Sequence, residues 1–366
     1  MTKKRVGILF GGCSAEHEVS LQSAKNIFEA IDIDKYEPVL IGIDKSGKWL
    51  LEKSGAVSDF LLNADDPKRI SLNQNGTPAA LMPGSGGVFA HIDGSGMKTS
   101  VDVVFPILHG PLGEDGSVQG VLKTAGVPFA GSSVLGSAVG MDKDVMKRLL
   151  HSAGIPISKY ITINSIDEIP VFDALVKNLG LPFFIKPANM GSSIGINKVH
   201  NEAEYRQFIR DAFQYDRKII IEEFISGREL ECSVLGNDDP IVSLPGEIKP
   251  AHEFYSYVAK YIDEAGAELL IPAQLAGEKI KEIQTLALKT YKTLYAEGLS
   301  RIDFFMRDDS RIFVNEINTM PGFTKISMYP KLWENSGLSY STLIDRLIGL
   351  AFERYEKERH LKTNYL

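Results

Sequence analysis

Val6 to Phe10 form a short apolar run that stops at Gly11-Gly12, and the stretch EVSLQSAKNIFEAI behind it reads as a helix. Tyr36–Ile43 and Val101–Leu108 are further strand-like runs, the second ending in HGPLGEDG, and Gly116–Ala125 reads as a helix. Strand, glycine turn, helix and strand, in that order, predict an open α/β sheet that gathers ligands at the C-terminal ends of its strands. Residues 60–100, rich in Asn, Asp, Gly, Ser and Pro, read as irregular loops or a hairpin within this first unit.

Beyond residue 131 the pattern changes. Val145, Met146, Leu149 and Leu150 recur at helical spacing until Gly154 to Pro156 ends the helix. FFIKPANMGSSIGINKV follows as a strand that breaks into small residues, then a helix near Glu202–Phe213 and the strand KIIIEEFI. From Glu229 strands dominate, in ELECSVLGN and IVSLPGEI, before the polar and aromatic loop KPAHEFYSYVAKYIDEAG. A long helix from about Ala276 to Glu297 leads into RIDFFMRDDSRIFVNEIN, and the tail after Leu338 is helical with a charged end. Strands mixed with helices over residues 132–366 predict two α+β units, not a second parallel sheet.

A chain of 366 residues has room for two or three domains, and 44% hydrophobic with 24% charged residues is ordinary for a globular protein. The net charge is −7, with no basic block beyond Lys3-Lys4-Arg5, which argues against a nucleic-acid or anionic-membrane surface. Cys13 and Cys232 fit no metal spacing and suit a reducing compartment. The apolar run near the start is too short for a signal peptide, and no 18-residue apolar run occurs. A soluble, cytoplasmic protein without internal repeats is expected. His17 and His252 read as surface residues.

In a strand, alternate residues share a face, so Arg301, Asp303 and Phe305 point one way, and Glu316 and Asn318 share a face of the following run. A symmetric turn centred between Asp309 and Ser310 sets Asp303 directly opposite Glu316. Facing carboxylates repel unless a cation lies between them, and three oxygen-bearing side chains on one face suit a hard ion such as Mg²⁺. The alternative is a solvated polar face. Lys186 stands inside an apolar strand, where an unpartnered lysine is rare. The Gly191-Ser192-Ser193 loop after it can turn backbone N–H groups and hydroxyls toward a polyphosphate. A plain turn explains the same residues. The spacing is not that of a P-loop, and GILFGGCSAEHE lacks the dinucleotide fingerprint.

Lys186 with its Gly-Ser-Ser loop, IIIEEFI with GREL, and Arg301-Ile-Asp303 followed by Glu316-Ile-Asn318 together resemble an ATP-grasp enzyme. With GGCSAEHEVSLQSA, HGPLGEDG, GMDKDVMK, AKYID and NTMPGFTKISMYPKLW, the chain resembles the D-alanine–D-alanine ligases from Val6 to about Arg354. The resemblance implies an open parallel-sheet N-terminal α/β domain (1–131), then a two-domain α+β ATP-grasp fold (132–226 and 227–366). It implies that Lys143 and Lys186 contact ATP phosphates beneath a lid of Gly191, Ser192 and Ser193. Glu222 and the backbone of Glu223, Phe224 and Ile225 would read adenine, and Glu229 the ribose. Asp303, Glu316 and Asn318 match the magnesium ligands, with Mn²⁺ as a substitute and two ions expected. Glu16 would bind the first D-alanine's ammonium, His109 would line its pocket, and Ser327 would hold the second carboxylate. Arg301 and the Gly322 amide would face the oxyanion. Lys260 and Tyr261 would cover the site, Lys260 reaching phosphate and Tyr261 joining Ser192 and Glu16 in catalysis.

Glu16 at a helix start, His109 in a turn, Tyr261 among aromatics and Glu229 on a strand also have purely structural explanations. EEFI replaces a commoner Glu-Gln-Gly-like stretch, and Cys13 occupies a variable position to which no role attaches. The expected function is ATP-dependent ligation of two D-alanines for peptidoglycan synthesis by a cytoplasmic homodimer. A D-alanine–D-lactate ligase and a non-enzymatic nucleotide-binding protein are the alternatives.

Overall fold

The computed structural model describes residues 2–52, 60–63, 65–66, 69–250 and 266–362. The first sheet has seven strands, with Lys4–Gly11 lying parallel between Tyr36–Ile43 and Val103–Ile107. Val6, Ile8 and Phe10 are buried on one face under the helices His17–Ala30 and Tyr340–Arg359. Leu9 and Val104 are buried on the other with Val118 and Leu122 of the helix Ser117–Ala125. A strand covered on both faces reads as a continuous apolar run, which is why Val6–Phe10 was legible.

The expected parallel sheet is corrected to a mixed one. Trp49–Leu51, Thr77–Leu81, Val88–His91 and Lys98–Ser100 extend it antiparallel. Of the two readings of residues 60–100, the hairpin is the one found, between Thr77–Leu81 and Val88–His91. Strands this short carry too few alternations to register as period two between turn-rich segments.

The remainder holds two antiparallel sheets, as the mixed pattern predicts. One has four strands, ordered Tyr160–Ile163, Ile219–Glu223, Phe183–Pro187 and Asn197–Val199. It packs Leu175, Leu179, Tyr205 and Ile209 of two helices against Phe183, Ile185 and Ile221. In the other, Gly227–Gly236 pairs with Gly298–Arg307, which pairs with Ile312–Asn318. The helix Gly277–Thr293 buries Ile283, Ala287 and Tyr291 against Leu230, Cys232, Ile302 and Phe304. That leaves the opposite sheet face for polar residues.

The first and third regions are cross-linked. Tyr36 donates to Asp345 at 2.8 Å, Asn26 Nδ2 to the Phe323 carbonyl at 2.9 Å, and Arg354 to the Phe129 and Gly131 carbonyls. Among the described residues, no helix is long and apolar enough to cross a membrane.

Candidate active site

Three carboxylates stand in a row across three neighbouring strands: Glu231 pairs in register with Asp303, and Asp303 with Glu316. Ser233, Arg301 and Asn318 form the next row. The facing of Asp303 and Glu316 is as the sequence predicts, but by a different route. Nearer the turn Phe304 pairs with Val314 and Phe305 with Phe313, so the register shifts by one residue at the site, a β-bulge that leaves Asn315 unpaired. Bulges of this kind re-aim side chains, and without it Asp303 would face Asn315. Arg301 Nε lies 2.7 Å from Asp303 Oδ1 and 2.8 Å from Glu231 Oε2, and its Nη2 donates to Asp303 Oδ2 at 2.8 Å. Asn318 Nδ2 donates to the same Asp303 Oδ2 at 3.0 Å.

A cleft of about 480 Å³ opens between the four-stranded sheet and this row. Lys143 begins the helix Lys143–Ser152 because Asp142 caps it, its side chain accepting from the amides of Asp144 and Val145. From there Lys143 Nζ donates to the Met190 carbonyl at 2.7 Å and lies 3.4 Å from Glu316. Lys186 answers the puzzle of a lysine in a strand: its Nζ pairs with Glu222 Oε2 at 2.5 Å. Glu222 is 2% exposed, and its other oxygen takes Lys147 at 2.6 Å and the Ser158 hydroxyl. Burial opposes ionisation of Glu222, but the two lysines outweigh it and hold the carboxyl well below the usual range. Glu222 thus lines the cleft with its oxygens engaged by lysines. Glu223, Phe224, Ile225 and Glu229 line the same cleft, where Lys198 stacks over the exposed Phe224 ring at 4.1 Å.

Ser192 and Ser193 both take left-handed backbone, at φ 49° and 61°, so the Gly-Ser-Ser segment is a tight turn at the cleft mouth. The Ser192 hydroxyl donates to Glu16 Oε1. Gly110 takes left-handed backbone, at φ 72°, which favours glycine, and both it and Gly191 pass close to Glu16 Oε2. Beside them a smaller pocket of about 80 Å³ is lined by Glu16, Ser192, Arg301, Gly322 and Ser327. Ser327 Oγ accepts from the Thr324 amide at 3.0 Å.

His109 is buried at the back of this pocket. Its Nδ1 lies 3.0 Å from the Met320 carbonyl, which can only accept, so Nδ1 carries the proton. Burial keeps the ring neutral, pushing its pKa down to about 4. Nε2 is 3.4 Å from Ser23 Oγ, and Ser23 Oγ accepts from the Phe323 amide at 3.1 Å. Glu114 accepts from the Gly110 amide at 2.7 Å and the Met320 amide at 3.3 Å. Desolvation, then the Glu16 carboxylate, push its pKa up to about 8. Residues of the first region therefore hold the segment that carries Gly322 on both sides.

Of the sequence-predicted residues, Glu16, His109, Ser192, Arg301, Gly322 and Ser327 meet at the small pocket, while Lys143, Lys186, Ser193 and the Glu222–Glu229 set meet at the cleft. Lys260, Tyr261 and His252 lie outside the described residues. His17 is corrected from surface to buried, at 4% exposed, with Nδ1 2.7 Å from the Gly12 carbonyl. The sequence reading missed Glu114, Lys147 and Glu231. Lys147 could have been found, since it follows Lys143 by one helical turn on the face that buries Met146 and Leu150. As for a metal, Asp303, Glu316 and Asn318 offer only oxygen donors, and three carboxylates of the row outnumber Arg301 and Lys143. That donor chemistry fits a hard divalent ion. Among the described residues, no group of three or more His, Cys, Asp or Glu is arranged to hold one.

Known proteins share this sequence pattern and fold. The family described as D-ala D-ala ligase N-terminus matches residues 5–132, and that described as D-ala D-ala ligase C-terminus matches residues 149–349. A D-alanine–D-alanine ligase of Oceanobacillus iheyensis is 55% identical over 364 residues, 99% of each chain. The solved D-alanine-D-alanine ligase of Coxiella burnetii superposes with a TM-score of 0.86 at 35% identity, covering 98% of this chain and 97% of that one. A D-Ala:D-Ser ligase of Enterococcus faecalis gives 0.83 at 39% identity over 96% and 100%. The fold is the ATP-grasp fold of these enzymes. On the matched sequence, shared fold and near-complete coverage, the chain belongs to the D-alanine–D-alanine ligase family.

Proposed function

We propose that the protein joins two D-alanine molecules into D-alanyl-D-alanine for peptidoglycan synthesis, using ATP and passing through a D-alanyl phosphate. The observation that carries this reading is a cleft walled by Lys143 and Lys186 beside a small polar pocket, the two sharing Gly191, Ser192 and Glu316. A carboxylate is too poor an electrophile for an amine until it is phosphorylated. Glu16 takes the ammonium of the first D-alanine, whose carboxylate oxygen attacks the γ-phosphorus of ATP. Lys143 and Lys186 spread the phosphoryl charge, and Gly191, Ser192 and Ser193 close over it. Glu222 to Ile225 border adenine, and Glu229 meets the ribose. Asp303, Glu316 and Asn318 hold Mg²⁺ or Mn²⁺, two ions in all, which when bound neutralise and orient the phosphoryl groups.

The second D-alanine lies with its carboxylate at Ser327. Its ammonium gives up a proton to the network of Tyr261, Ser192 and Glu16, and the amine attacks the acyl carbon. Arg301 and the Gly322 amide face the oxyanion that develops, and its collapse expels phosphate. His109 lines the pocket of the first substrate from behind. Lys260 supplies a further positive charge to the phosphate. The three larger sheets support a division into domains at 1–131, 132–226 and 227–366, in a cytoplasmic homodimer that binds neither nucleic acid nor membrane. ADP release tests the reading, with D-alanine, D-lactate, D-serine and L-alanine supplied separately and in pairs. D-alanine alone should sustain turnover to the dipeptide. Turnover that requires D-lactate or D-serine, or none at all, would contradict it.

A further inference from the structure

Arg301 serves two carboxylates at once. Nε stands between Asp303 Oδ1 and Glu231 Oε2, at 2.7 and 2.8 Å, while Nη2 takes Asp303 Oδ2. Asn318 also donates to that Oδ2. Both oxygens of Asp303 are therefore committed within the protein. A carboxylate in this state is a poor donor for a divalent ion, because the guanidinium opposes the ion's charge and shares the same lone pairs. Glu231 stands on the far side of Arg301, one strand away from Asp303 and two from Glu316. It is 6% exposed, and the steps above give it no part. A buried carboxylate is expensive unless paired, and Arg301 pairs with this one.

We propose that Glu231 is a positioning residue that lets Asp303 exchange Arg301 for a divalent ion. As the Asp303 oxygens turn to the ion, Glu231 keeps the guanidinium charge-balanced and fixed beside the pocket of the reacting carbonyl. Without that second carboxylate, Arg301 stays on Asp303, and the ion must displace it. The inference rests on the reading of Asp303 and Glu316 as metal donors.

Mn²⁺ binding, followed by electron paramagnetic resonance on the full-length protein with a non-hydrolysable ATP analogue, separates the two. Glu231→Gln should weaken Mn²⁺ about tenfold, the effect of losing a partner that orients a ligand. Glu231→Asp should recover most of the loss, and affinity for the analogue without metal should not change. Asp303→Asn tests the underlying reading: unchanged Mn²⁺ affinity there removes the metal assignment itself. A loss in Asp303→Asn with none in Glu231→Gln overturns the positioning role alone. Arg301→Gln and the double variant Arg301→Gln/Glu231→Gln give a comparison that does not depend on the single Glu231 variant folding. They should bind Mn²⁺ equally, since Glu231 acts through Arg301. A further tenfold loss in the double variant would contradict the proposal.

Discussion

Glu316→Gln should lower turnover by about a thousandfold, roughly 4 kcal/mol of transition-state stabilisation, while the protein stays folded. The change keeps the size of the side chain and removes its charge. The folding cost should be small, since the Glu316 side chain is 25% exposed and its ion pair with Lys143 is long, at 3.4 Å. Pairs of that kind contribute about 1 kcal/mol or less. The catalytic cost should be large, because Glu316 borders both the cleft and the small pocket and carries the charge that would meet the metal. ADP release measured across a Mg²⁺ titration, beside a thermal melt, checks both halves. Unchanged activity with an unchanged Mg²⁺ midpoint would remove Glu316 from the metal set.

Lys147→Met should cost about 3–5 kcal/mol of stability, the usual penalty for removing one partner of a buried ion pair. Lys147 is 1% exposed and Glu222 2%, so water cannot replace the lost charge. The pH dependence has a definite sign. Glu222 is held below the usual carboxylate range in the folded protein, so its contribution is present above the ordinary carboxyl pKa and fades as pH falls through the folded value. The variant should therefore lose most near neutrality and approach the unmodified protein in acid. Lys186→Ala makes the contrast: at the cleft wall, it should weaken ATP binding more than D-alanine binding. Denaturation midpoints against pH and calorimetry with each ligand separate the two lysines. An unchanged midpoint in Lys147→Met would mean that Lys186 alone balances Glu222.

Much of the site was legible where local pattern and chemistry coincide. Lys186 stood out because an apolar strand does not take a lysine without cause, and the cause is Glu222, the next-to-last residue of Ile219–Glu223. The hairpin pair Asp303 and Glu316 followed from alternation, yet the turn arithmetic alone would have failed without the bulge at Asn315. Bulges depend on which side chains find room, and no residue in FVNEIN announces one. Glu231 was readable in part, since ELECSVLG sets it on the face of Glu229. Its partner Arg301 lies 70 residues on, and that pairing is a fact of the sheet. His109 and Glu114 lie in the quoted HGPLGEDG motif, but their grip on Met320 spans more than 200 residues. His17 misled because a histidine at a helix start ordinarily meets water, and here the Gly12 carbonyl meets it instead. The short strands before Val103 were hidden among the turns that join them.

The most direct test of the account follows the oxygen. D-alanine labelled with oxygen-18 in its carboxylate is turned over with unlabelled ATP, and the released phosphate is weighed by mass spectrometry. Activation through a D-alanyl phosphate requires the bridging oxygen to leave with phosphorus, so each phosphate should carry one labelled atom. Dipeptide formed alongside unlabelled phosphate would mean that the carboxylate never attacked ATP, and the account of this cleft would be wrong.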